Sequence, residues 1–147
     1  MANNYTQFSA ELLLSEDPVK REEEKAWLRS VLEWEPGDGE LKDLGVLDVE
    51  DEEHFPDFDA QLGAERVWFY AEEAGNLDNL ASVVQAYLVK FCPKGCWGIT
   101  WADTCSRPRV GEFGGGAVFV TATERRWMST YSWVAKQREE FEHVSPL

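Results

Sequence analysis

Apolar and polar residues alternate along residues 5–14 (YTQFSAELLL), which predicts a strand. Ser15 or Asp17 then offers an N-cap, and Pro18 suits the first turn of a helix. Val19, Ala26, Trp27, Val31 and Trp34 share one face at helical spacing, while Glu22, Glu23, Glu24 and Glu33 fall mostly elsewhere. Pro36-Gly37 stops that helix. Residues 36–54 are polar and acidic around a short apolar island, Leu44, Val46 and Leu47, and read as an exposed loop with one short turn. Residues 55–62 predict a strand, with Phe58, Ala60 and Leu62 on one face. Gly63-Ala64 is a turn signal, and residues 65–72 (ERVWFYAE) form the most aromatic strand candidate, so the two make a hairpin.

Asn76 or Asp78 can cap a second helix, whose stripe is Leu77, Leu80, Ala81, Val84, Leu88 and Phe91, ending at Pro93 and Gly95. Residues 96–102 (CWGITWA) predict a strand, residues 103–116 a loop, and residues 117–122 (AVFVTA) a short strand buried on both faces. Thr123 is expected to cap a last helix carrying Trp127, Tyr131, Val134 and Phe141. The order β-α-β-β-α-β-β-α predicts one α+β domain over residues 1–147. Its first six elements correspond to a ferredoxin-like split βαβ core (β-α-β-β-α-β), extended by a C-terminal strand and helix.

Charge changes this picture. The net charge is −14, and it is lopsided. Residues 1–78 hold 22 Asp and Glu against 6 Lys and Arg; residues 79–147 hold 6 against 8. Between Glu33 and Asp59 there are 12 carboxylates and one basic side chain, Lys42. Such a field repels nucleic acid and anionic membrane and attracts basic partners. The candidate partner-facing residues are Glu33, Glu35, Asp38, Glu40, Asp43, Asp48, Glu50, Asp51, Glu52, Glu53 and Asp57. Three cysteines form no secreted disulfide framework, and neither a membrane span nor a signal peptide is expected, which together point to the cytoplasm.

Candidate chemistry concentrates in Thr104–Gly116 (TCSRPRVGEFGGG). Arg107 and Arg109 beside Gly114, Gly115 and Gly116 could hold an anion through guanidinium forks and backbone N–H groups, with Trp97 or Trp101 stacking on a ring. The alternative is a tight strand connection. The segment lacks the Gly-Lys-Ser/Thr ending of a P-loop, and its glycines lead into a strand where a dinucleotide fingerprint opens a helix. Cys105 has no evident base, since the two histidines, His54 and His143, lie in the acidic loop and the tail. The spacing of Cys92, Cys96 and Cys105 is not a common zinc pattern, and small buried cysteines are the favoured reading. No catalytic residue, cofactor or metal ligand is assigned.

The stretch WGITWADTCSRPRVGEFGGGAVFVTA, the opening YTQFSAELLLS and the VWFYAEEAGN segment resemble a family of small acidic proteins of phages, plasmids and integrated mobile elements, marked by a TCSxPRxGEFGGG segment. The resemblance carries no activity. It implies a setting in which small acidic proteins block host defence systems. Two functions are therefore weighed. One is an acidic inhibitor that imitates a run of phosphates on a basic nucleic-acid channel of a CRISPR or restriction complex. The other is a small-ligand domain built on the Arg107–Gly116 loop.

Overall fold

In the computed structural model, which describes residues 3–144, the elements are β1 (Asn4–Leu13), α1 (Pro18–Leu32), a single 3-10 turn (Leu41–Leu44), β2 (Asp59–Leu62), β3 (Arg66–Ala71), α2 (Leu77–Phe91), β4 (Cys96–Cys105), β5 (Gly114–Thr121), β6 (Arg125–Ser129) and α3 (Thr130–Val144). The fold is α+β: one six-stranded antiparallel sheet and three helices. The strands lie in the order β2-β3-β1-β4-β5-β6.

Asp17 caps α1 by accepting a hydrogen bond from the Val19 amide at 3.0 Å, and Pro18 occupies the first turn. The buried face of α1 is Glu24, Trp27, Leu28 and Val31, spaced i, i+3, i+4, i+7. This corrects the predicted stripe: Val19 and Ala26 are exposed, and Glu24, expected on the polar face, is 1% exposed. Asn76 caps α2 through the Asn79 amide. α2 is buried around most of its girth, including Asn79, Ser82 and Tyr87, because the sheet, α1 and the acidic segment all close on it.

The sheet is covered on one face. Phe8, Leu12, Val67, Phe69, Trp97, Ile99, Val118 and Val120 point under the helices, each worth roughly 1.5–3 kcal/mol of burial. Their strand neighbours Ser9, Glu11, Trp68, Thr100, Phe119 and Met128 lie on the opposite face and are exposed. β5 is therefore buried on one face, and the expectation of burial on both was wrong.

The C-terminal third departs most from the sequence reading. The sheet continues past β4 with two strands, β5 and β6, where one was expected. Thr123 caps no helix. It lies in a hairpin turn closed by the Thr121 amide donating to the Glu124 carbonyl at 2.9 Å and by the Thr121 hydroxyl accepting from the Glu124 amide at 3.1 Å. Trp127 belongs to β6, opposite Val118. The last helix is capped by Ser129, whose hydroxyl accepts from the Ser132 amide at 3.1 Å.

Candidate partner-binding surface

The acidic stretch from Glu33 to Phe58 is an ordered strap, not a free loop. Trp34, Leu41, Val46, Phe55 and Phe58 are buried at intervals along it. Trp34 meets Phe55 edge-on at 5.9 Å, and Phe58 meets Phe69 edge-on at 5.7 Å. Helix side chains hold the backbone between these anchors. Trp27 donates its indole N–H to the Leu44 carbonyl at 2.8 Å, and Ser82 donates to the Asp48 carbonyl at 3.1 Å. Asn79, fully buried, accepts from the Asp51 amide at 3.2 Å and donates to the Asp51 and Pro56 carbonyls at 2.9 and 3.3 Å. Side chains of α1 and α2 thus supply hydrogen-bond partners to the strap backbone.

Some of the acidic side chains also build the strap's own turns. Asp38 accepts from the Glu35 amide, and Asp43 accepts from the Glu40 amide to close a capping box on the 3-10 turn. Asp51 accepts from the His54 amide and pairs with the His54 ring at 2.8 Å. Even so, nearly all the carboxylates face outward. Glu33, Glu35, Asp38, Glu40, Asp43, Asp48, Glu50, Glu52, Glu53 and Asp57 are exposed, and Asp51 is half-buried. Lys42, the strap's one basic side chain apart from His54, is paired to Glu40 at 2.9 Å.

The electrostatics follow from this crowding. Glu50 is held above the ordinary carboxylate range by its hydrogen bond to Asp78, then by the Asp78 charge, with desolvation and Asp51 adding to it. Asp51 is held below its usual range by hydrogen bonds to His54, and the same contact raises His54. Deeper in, the Glu24 carboxyl accepts from the Ser15 amide at 2.9 Å and from the Tyr87 hydroxyl, and its second oxygen has no protein partner. Burial first, and then Glu24, push the Tyr87 hydroxyl well above its usual range.

The second candidate region is arranged differently from its expectation. Gly114, Gly115 and Gly116 are not a loop; they open β5, paired with Asp103, Ala102 and Trp101. A Cβ on Gly116 would lie 2.5 Å from the Trp101 ring and 2.3 Å from the Met128 carbonyl, and one on Gly115 would lie 2.4 Å from the Trp101 carbonyl. Close packing of three strands therefore accounts for these two glycines. Trp97 is buried, donates to the Glu11 carbonyl and meets Phe69 edge-on at 6.1 Å. Trp101 is half-buried, donates to Asp103 and meets Trp127 edge-on at 6.0 Å. Arg107 and Arg109 are exposed. A cavity of about 240 Å³ does lie at this end of the sheet, between Tyr5, Thr104, Glu112 and Tyr131; of the predicted ligand-binding residues Gly114 and Gly115 line it, while Gly116, both arginines and both tryptophans do not.

The cysteines are not small buried residues as expected. Cys92 and Cys96 are exposed and Cys105 is half-buried, all three as free thiols. Cys96 and Cys105 stand at opposite ends of β4, roughly 30 Å apart at ~3.4 Å per residue, so they share no site. Among the described residues, no group of three or more His, Cys, Asp or Glu side chains is placed to hold a metal ion. No described helix is long and apolar enough to cross a membrane.

Sequence reasoning missed Asn79, Ser82 and Glu24. The signal was present in α2: Asn79 and Ser82 sit among Leu80, Ala81, Val83 and Val84, which marks polar groups that must find buried partners. Against known proteins, the chain matches no family profile, no curated protein and no solved structure.

Proposed function

We propose that this is a non-enzymatic binding protein that offers the Glu33–Asp57 strap as a fixed acidic surface to a basic protein partner. The observation that supports it is the combination of outward carboxylates with a backbone pinned from beneath by Trp27, Asn79 and Ser82. A floppy acidic segment would have to be ordered on binding, at a cost in conformational entropy; this one is ordered beforehand. Crowded carboxylates such as Glu50 and Asp78 oppose folding, and a basic partner relieves that repulsion.

In its narrower form the strap imitates a run of phosphates and blocks the nucleic-acid channel of a host defence complex, of CRISPR or restriction type, in the cytoplasm. The resemblance to mobile-element proteins supports that form. We likewise read β1, α1, β2, β3, α2 and β4, with the neighbours β2-β3-β1-β4, as a split βαβ core that serves to carry the strap, with β5, β6 and α3 as its extension.

The test is a pull-down from bacterial lysate at low and high salt. Recovery of basic nucleic-acid-handling proteins at low salt, lost steeply as salt rises, is the expected result. Recovery of none, or recovery indifferent to salt, refutes the reading.

A further inference from the structure

Between its 3-10 turn and Glu52 the strap folds around a cavity of about 330 Å³, at the lower end of the range for ligand pockets, roughly 300–1,000 Å³. Part of the lining is apolar: the buried Leu41 and Val46, the half-buried Val49 and the exposed Leu47. The rest is charged and exposed: Glu40, Asp48 and Glu52 against a single base, Lys42. The wall is set before any partner arrives. The Val46 amide donates to the Leu41 carbonyl at 3.1 Å, and Ser82 holds the Asp48 carbonyl. Lys42 is committed to Glu40, with both side chains about two-thirds exposed. Asp48 and Glu52 have no ion-pair partner among the described residues.

We propose that this cavity is the strap's anchor site and takes one arginine side chain of the basic partner, a refinement that rests on the strap being a partner surface. The chemistry of the lining selects the occupant. Three carboxylates spread around an apolar wall do not converge as metal ligands do. They suit a long side chain with an apolar stem and a wide, delocalised charge at its tip. The arginine stem covers Val46, Leu47 and Val49, and the guanidinium, with five N–H donors in a fixed fork, donates to the Asp48 and Glu52 carboxylates. A lysine stem fits the same wall, but its compact ammonium is more strongly hydrated and lacks the planar fork. Lys42 stands in for such a cation from within the chain. Its pair with Glu40 is exposed and screened, so an incoming guanidinium displaces it without loss of a buried contact.

An NMR titration of the isotope-labelled full chain at low salt tests the proposal. The probe is a capped tripeptide with arginine between two glycines, and the same peptide with citrulline is the uncharged control. The arginine peptide is expected to shift the Leu47, Val49 and Glu52 amides saturably, and the citrulline peptide to leave them in place. Asp48→Asn with Glu52→Gln is expected to weaken binding by about tenfold. Both positions are exposed, and unchanged amide shifts away from the cavity verify the fold. Glu33→Gln with Glu35→Gln, on the same strap but outside the cavity, is expected to weaken it by less than about twofold. Lys42→Gln, which removes the competing ammonium, is expected to tighten it by about twofold. Shifts spread evenly along the strap, equal weakening by the two double variants, or equal binding of the citrulline peptide would overturn the anchor site and leave the acidic-strap reading standing. Failure of that reading shows instead in the lysate pull-down, where wild type and the Asp48→Asn, Glu52→Gln bait would both recover no basic protein.

Discussion

Replacing Asn79 by alanine isolates the pinning of the acidic strap from its charge. The side chain is fully buried and makes three hydrogen bonds to the strap backbone, at Asp51 N, Asp51 O and Pro56 O. Each is worth ~1 kcal/mol net, and the strap groups left behind are partly desolvated, so Asn79→Ala is expected to cost roughly 2–4 kcal/mol. For a chain of this size each kcal/mol lowers Tm by about 2–4 °C, so Tm should fall by roughly 5–15 °C. Hydrogen exchange gives the sharper readout. The Asp51 amide should lose about 30- to 1,000-fold in protection if the loss is local, since every 1.4 kcal/mol is tenfold. Ser82→Ala, which removes only the bond to the Asp48 carbonyl and one to its own helix, should lie between wild type and Asn79→Ala. Asn79→Asp keeps an acceptor for Asp51 N but turns carboxylate oxygen toward two carbonyls, and should be at least as damaging as alanine. An Asn79→Ala variant that melts within about 1 °C of wild type, with unchanged Asp51 protection, would refute the reasoning.

Two further predictions rest on single contacts. Gly116→Ala places a Cβ against the Trp101 ring and the Met128 carbonyl, and should cost ~1–3 kcal/mol of stability by denaturant unfolding; equal stability would mean the β4-β5-β6 packing is looser than described. The His54 ring should titrate above 6.5 when followed by NMR, and Asp51→Asn should return it toward 6.5. His54 stabilises the strap most below its unfolded value, and that contribution is lost as pH rises through the raised one. Asp51 contributes above its unfolded value and loses that as pH falls through the lowered one. The pair therefore works best between about pH 4 and 6.5.

Much of the first 100 residues was legible because pattern and burial point the same way there. Asp17-Pro18, Asn76 and Pro93 mark helix ends by local chemistry that tertiary packing does not override. The strap's order was hidden because Trp34, Leu41, Phe55 and Phe58 follow no helical or strand period; they are spaced by where pockets occur on α1, α2 and the sheet. Residues 125–129 misled for a different reason. Thr123 as a cap, with Trp127, Tyr131, Val134 and Phe141 following at helical spacing, fits a helix, and only the sheet, by offering β5 as a partner, makes residues 125–129 a strand. The glycine triplet carried a real signal of close approach, but sequence alone does not say that the approaching group is Trp101 of the same chain.

The most direct measurement of the central claim compares three baits in one salt-series pull-down: wild type, a variant with Glu50, Glu52 and Glu53 changed to glutamine, and Asn79→Ala. A strap that acts as a fixed acidic surface predicts that wild type captures a basic protein with a steep salt dependence. The glutamine variant should bind more weakly and with a shallower salt slope, and Asn79→Ala, with every strap charge retained, should bind more weakly with the slope kept. Equal capture by all three baits would contradict the account.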